Sequence, residues 1–170
     1  MAMKWLFSHQ WPVDKYLYWT MAVSVQTEDF DAGLEISRLR NARKDIGAVV
    51  SFIGLVRDLN EGDQVSQLTL EHYPGMTEKA LEAIVSQAQN RWAIFDAIVI
   101  HRVGTLQATE QIVLVAVSSA HRSEAFKACE FIMDYLKTEA PFWKKERMQS
   151  GERWLDAKNS DDEARERWNQ

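Results

Sequence analysis

Two apolar runs set the frame for what this chain can fold into. Residues 46–57, IGAVVSFIGLVR, and residues 111–119, QIVLVAVSS, carry almost no charge along their length. Both are far shorter than the roughly 20 residues a helix needs to cross a bilayer. Their length and their many β-branched residues fit buried strands. Along the first run, Ile46, Ala48, Val50, Phe52 and Gly54 take one face, and Val49, Ser51, Ile53 and Leu55 take the other. Both faces are apolar enough that both are expected to be covered.

Helical periodicity separates these runs. Asp31 precedes a pattern of Leu34, Ile36, Leu39 and Ala42, with Gly47 expected just past a helix end. From Thr77 and Lys79 to Arg91, apolar residues Ala80, Leu81, Ile84, Val85 and Ala88 recur at helical spacing. The longest pattern runs from His121 to Glu139, with Ala125, Phe126, Cys129, Ile132, Met133 and Leu136 as its stripe. Ser119 or Ser123 is a candidate cap for its start, and Pro141 closes it. Further strands are expected at AVSVQ after Met21, at 65–73, and at 94–103 with Gly104 ending it. DLNEGD reads as an exposed loop. Residues 142–148 and 151–157 read as two short strands turning at Ser150–Gly151, and the charged tail SDDEARERW as a surface helix. The order predicts an α/β fold, more narrowly an α+β two-layer one.

The 170 residues, 46% hydrophobic and 26% charged, suit one globular domain. A net charge of -5 argues against a non-specific nucleic-acid binder. Nothing resembles a signal peptide or a membrane span, so a cytoplasmic protein with no membrane partner is expected. The single cysteine, Cys129, excludes a disulfide framework and sits among Ala128, Phe131 and Ile132, as an inert core thiol would. The four histidines lack metal-ligand spacing, and neither a phosphate loop nor a dinucleotide fingerprint is present, so no metal or resident cofactor is expected. The opening stretch is unusual, with Trp5, Trp11 and Trp19 in its first twenty residues.

What remains is a set of cations beside apolar segments. Arg57 ends the first run, His101 and Arg102 end a strand, and His121 and Arg122 open the long helix. Lys137 lies in that helix's last turn, and Lys144 and Lys145 follow the Pro141–Phe142–Trp143 corner. Strand ends and helix starts suit an anion site, and a lysine at an apolar corner can act as base or nucleophile. The plainer reading of each is a solvated cap or an ion-pair partner, with His72 and His101 structural.

The strings GLVRD at 54–58, LTLEHYPGMTEKAL at 68–81, HRVG at 101–104, SSAHRSEAF at 118–126, DYLKTEAPFWKKE at 134–146 and GERWLDAK at 151–158 together resemble the catalytic (large) subunits of molybdopterin synthase. The resemblance runs from about residue 23 to about residue 168. It implies an α/β hammerhead-like fold with an additional small antiparallel sheet. It implies a sulfurtransferase that converts cyclic pyranopterin monophosphate to molybdopterin, building a dithiolene with sulfur from the thiocarboxylated C-terminus of a small ubiquitin-like subunit. Two large subunits would form a central homodimer within a heterotetramer. By the same resemblance Lys137 and Lys144 are catalytic, and Arg57, His121, Arg122 and Lys158 bind the substrate phosphate. Lys158 stands where a relative carries arginine, keeping the charge and losing the fork. Phe142, Trp143 and Met148 are candidates for the groove that takes the partner's tail. Residues 1–20 fall outside the resemblance and are expected to be an extension or a mis-assigned start, with Met21 the alternative, ahead of a catalytic domain at 21–170.

His121 and Lys137 are 16 positions apart, about 24 Å along one continuous helix. The expectation is therefore one pocket combining Lys137 and Lys144 of one subunit with His121, Arg122 and Lys158 of its dimer partner. Two rivals use the same cations. One is a phosphate-binding acyl or phosphoryl transferase, which lacks a clear nucleophile. The other is a non-catalytic scaffold for a ubiquitin-like partner or a small anionic ligand.

Overall fold

The structure, a computed structural model, describes residues 22–60, 63–148, 151–155 and 159–169. The opening tryptophans and Lys158 lie outside the described residues. A first sheet runs in the order β1 (Ala22–Gln26), β5 (Ile94–Arg102), β7 (Gln111–Ser119), β2 (Ala48–Leu55). Only β1 and β5 pair in parallel. A second, antiparallel sheet runs β3 (Leu59–Asn60), β4 (Asp63–His72), β8 (Phe142–Met148), β9 (Gly151–Leu155), with β6 (Gly104–Gln107) also on β4. The helices are α1 (Ala32–Asn41), α2 (Met76–Arg91), α3 (Arg122–Glu139) and α4 (Asn159–Glu166), the last followed by a 3-10 turn at Arg167–Asn169. This is the expected α+β arrangement with its added antiparallel sheet.

The main core lies between the first sheet and helices α2 and α3. Val99, Val113, Val115 and Val117 from the sheet meet Leu81, Ile84, Val85, Phe131 and Ile132 from the helices. α1 covers the opposite face, where Leu39 packs with Ile98, Ile100 and Leu114. A third cluster of Val56, Leu68, Leu70 and Leu106 joins the two sheets.

Several expectations change in three dimensions. The run 46–57 is an edge strand, not one covered on both faces: Phe52 is 41% exposed, Ile53 40% and Leu55 51%. Phe126, assigned by spacing to the buried stripe of α3, is 61% exposed: Ala125 and Ala128 of the same turn are buried, and Phe126 lies on the flank of the helix beside edge strand β2. Gly47 ends no helix, since α1 stops at Asn41. It precedes β2 where an added Cβ would stand 2.2 Å from the Ala120 carbonyl oxygen. Gly104 does not end a strand but begins β6, with φ +89°. Part of DLNEGD is ordered as β3, paired with the start of β4.

Ser119 and Ser123 are not side-chain caps of α3. Its cap is His121, which makes no side-chain cap bond, while Ser119 Oγ accepts from the His121 amide at 3.2 Å. The charged tail is more than a surface helix. Trp168 packs edge-on against Trp92 and Phe131, and its indole N–H donates to Asp134 at 2.8 Å.

Candidate active site

Strand register decides which cations can meet. β2 and β7 are antiparallel, with Ala48 opposite Ser119 and Leu55 opposite Gln111. His121 and Arg122, just past Ser119, therefore lie at one end of the pair. Arg57, just past Leu55, lies at the other, about 25 Å away at the strand rise. One anion cannot touch Arg57 and Arg122 of the same chain, so the six-residue set does not form one site within a single subunit.

α3 carries the chain back along β7. Cys129 Sγ approaches the Val115 carbonyl at 3.9 Å, and Lys137 follows about two turns on, toward the Arg57 end. The helix is one unbroken element from Arg122 to Glu139, so it keeps its two ends apart. Lys137 is half exposed and pairs with Asp161 of α4 at 3.3 Å. It also lines a groove of about 410 Å³ with Val50, Phe52, Phe126, Met133 and Asp134. Spacing alone missed this groove. Phe52 and Phe126 read as core residues in sequence, and only the edge position of β2 leaves them facing outward together.

The chain then turns at Pro141 into β8. Thr77 is fully buried and fastens that turn, with its Oγ1 3.2 Å from the Pro141 carbonyl and 3.1 Å from that of Tyr73. The HYPGM string is thus a structural corner: Gly75 adopts φ +80°, and its N–H donates to Glu78 at 2.6 Å. Alternation along β8 puts Phe142, Lys144, Glu146 and Met148 on one face, and Trp143, Lys145 and Arg147 on the other.

The three residues suggested for the tail groove therefore do not share one face and one end of the strand. Phe142 turns inward and stacks on His101, ring centroids 3.8 Å apart at 17°, while Trp143 is exposed on the opposite face. Met148 shares Phe142's face but lies about 20 Å further along the strand. Lys145 is engaged on the outer face, 3.1 Å from Glu152 and over the Trp154 ring. Lys144 shares the inner face and is half-buried, near His101.

His101 is structural, as expected of it. It is buried, with Nδ1 2.8 Å from the Arg102 carbonyl oxygen. Burial pushes its imidazole down to about 3; the hydrogen bond to Arg102 opposes that shift, and the positive charges of Lys144 and His72 add to it. Nδ1 therefore donates, and the ring is neutral at pH 7. Burial pushes the Cys129 thiol up to about 11, which leaves it inert. Among the described residues no group of three or more His, Cys, Asp or Glu is placed to hold a metal ion, and no helix is long and apolar enough to cross a membrane.

Comparison with known proteins bears on the family and the fold. Residues 25–139 match the family model described as MoaE protein. The chain is 63% identical over 146 residues to a molybdopterin synthase catalytic subunit of Ralstonia nicotianae, covering 86% of this chain and 83% of that one. It superposes on the solved molybdopterin biosynthesis MoaE protein from Burkholderia ambifaria with a TM-score of 0.76 at 52% identity, covering 88% and 99% of the two chains. At 19% identity it shares its fold, with a TM-score of 0.63 over 82% and 91%, with a protein–protein complex of subunits 1 and 2 of molybdopterin-converting factor from Helicobacter pylori.

Proposed function

The chain belongs to the MoaE family of molybdopterin synthase catalytic subunits, and on that premise we propose how its residues carry the reaction. The protein transfers sulfur from the thiocarboxylated C-terminus of a small ubiquitin-like subunit to cyclic pyranopterin monophosphate, forming the dithiolene of molybdopterin. The thiocarboxylate sulfur attacks a carbon of the substrate, whose C–O bond breaks as the oxygen leaves with a proton; water then cleaves the acyl C–S bond, freeing the small subunit as a carboxylate and leaving the sulfur on the substrate, and a second thiocarboxylate supplies the second sulfur in the same way. Lys137 serves as base or transient covalent partner, and Lys144 stabilises developing negative charge. The observation that carries this reading is the convergence at one end of the first sheet. The last turn of α3, the inner face of β8 and the end of β2 bring Lys137, Lys144 and Arg57 to the same side of the domain.

Substrate phosphate calls for Arg57, together with His121, Arg122 and Lys158. Within one chain His121 and Arg122 lie at the far end, so a second copy must bring its own α3 start to this site. The uncovered apolar side chains on edge strand β2 support such a homodimer. A small subunit on each copy completes a heterotetramer. The groove beside Lys137, walled by Phe52, Phe126 and Met133, is the better candidate than Phe142 and Trp143 for the partner's flexible tail. No cofactor is assigned, since the sulfur donor is a protein group. A cytoplasmic location fits this biosynthetic role.

The test is to mix this chain with the thiocarboxylated small subunit and cyclic pyranopterin monophosphate and to follow dithiolene product. Lys137→Ala is expected to lower turnover by about 100-fold or more while leaving small-subunit binding intact. Full activity in that variant removes Lys137 from the mechanism.

A further inference from the structure

Arg57 is exposed, yet both of its backbone neighbours are pinned. The Val56 N–H donates to the Glu110 carbonyl at 2.9 Å, and the Val56 carbonyl accepts from the Thr109 N–H at 2.8 Å. The Val56 side chain is buried against Leu68, Leu70 and Leu106. On the other side, the Asp58 carbonyl accepts from the Val65 N–H at 2.8 Å. The turn that grips Val56 is the short link from β6 to β7, residues 107–110. It is itself strained, because Thr109 holds φ +74°, a region that β-branched residues avoid.

A strained turn persists only where its surroundings hold it. Here the Glu110 carboxylate does so at both oxygens. Oε2 accepts from the Gln107 N–H at 2.6 Å, closing the turn, and Oε1 accepts from Arg102 Nη1 and Nη2, each at 3.2 Å. Arg102 is buried at the end of β5 and also donates to the Thr27 carbonyl at 3.3 Å, the Gln111 carbonyl at 3.1 Å and Asp29 at 3.4 Å. The guanidinium is thus a fixed fork tied to two segments of chain, 27–29 and 110–111, and Glu110 is the member that reaches the turn.

We infer that Arg102, acting through Glu110 and the 107–110 turn, is a positioning residue that sets where Arg57 presents its guanidinium to the substrate phosphate. The inference rests on the reading of Arg57 as a phosphate ligand. Arg102 touches no substrate. It fixes the backbone from which Arg57 projects, so its loss weakens ground-state and transition-state binding alike and appears in KM more than in kcat.

The experiment is a double-mutant cycle in the complex with the thiocarboxylated small subunit, varying cyclic pyranopterin monophosphate. Arg57→Ala alone is expected to raise KM roughly tenfold or more. Glu110→Gln alone should raise KM about fivefold with kcat within about twofold. In the Arg57→Ala background, Glu110→Gln should add nothing. Arg102→Lys, which keeps the charge and loses the fork, repeats the cycle at the other partner and decides the matter if Glu110→Gln folds poorly. Additive effects, or a KM unmoved by either variant while Arg57→Ala raises it, overturn the inference and leave the phosphate reading standing. A KM unmoved by Arg57→Ala removes the phosphate reading itself, and the positioning role falls with it.

Discussion

The buried His101 makes stability below neutral pH depend on one side chain. In the unfolded chain an imidazole titrates near its ordinary value of 6.5, whereas in the fold burial holds it near 3. Its folded pKa is depressed, so the neutral ring is compatible with the fold and the proton is bound preferentially by the unfolded chain. Stability is then complete above about pH 6.5 and declines as pH falls from 6.5 toward 3. Between pH 7.5 and pH 5 the linkage amounts to about 2 kcal/mol from this residue alone. For a domain of this size that corresponds to roughly 4–8 °C in Tm. The neighbours explain why the structure offers no compensation. The ring lies on Phe142 of β8, has Lys144 and His72 nearby rather than a carboxylate, and spends its one donor on the Arg102 carbonyl. His101→Gln keeps a side-chain donor and cannot titrate. Urea unfolding of both proteins at pH 7.5 and pH 5 should show the native protein losing about 2 kcal/mol more than the variant across that interval. A difference between the two losses below about 0.5 kcal/mol would refute the reasoning, as would an NMR titration placing His101 near 6.

Gly47→Ala is expected to cost about 1–3 kcal/mol, because its Cβ would meet the Ala120 carbonyl at 2.2 Å. Ala120 precedes His121, so turnover should fall alongside the Tm in calorimetry and activity assays of the same preparation. Trp168→Ala should cost about 2–3 kcal/mol through lost packing on Trp92 and Phe131. Asp161→Asn, which removes the half-exposed Lys137 pair, should cost less than about 1 kcal/mol. Equal losses in urea unfolding would show that ion pairs, not the indole, hold the tail to α3.

What was legible in the sequence followed from local period, and what was hidden depended on long-range pairing. The helices and most strands were readable because alternation and helical spacing are properties of consecutive residues. The position of β2 in its sheet was not. An apolar run of this kind suits a central strand or an edge strand that awaits a partner, and β7 settles its place from 56 to 71 positions away. Phe126 differs for a related reason: its spacing fits the stripe of α3, but it sits on the flank of that stripe, beside a strand with no neighbour on its outer side. The strings that carry the family resemblance also divide in use. HYPGMT and HRVG build corners through Thr77, His101 and Arg102, whereas the YLK string places Lys137 on the groove.

The 16-residue spacing of His121 and Lys137 has a consequence that register makes firmer. Helix rise alone separates these two groups, and the antiparallel pairing of β2 with β7 separately places Arg57 at the Lys137 end. Two independent geometric routes thus divide the cations into the same two sets within one chain. A phosphate held by both sets needs a second copy whose α3 start is brought to the first copy's α3 end. The exposed Ile53 and Leu55, on the face of β2 away from the Lys137 groove, mark that strand as the candidate surface for such a contact. Under the proposed shared site, dimerisation and substrate binding are one structural requirement, and a substitution that separates the copies is expected to weaken phosphate affinity even with every cation retained.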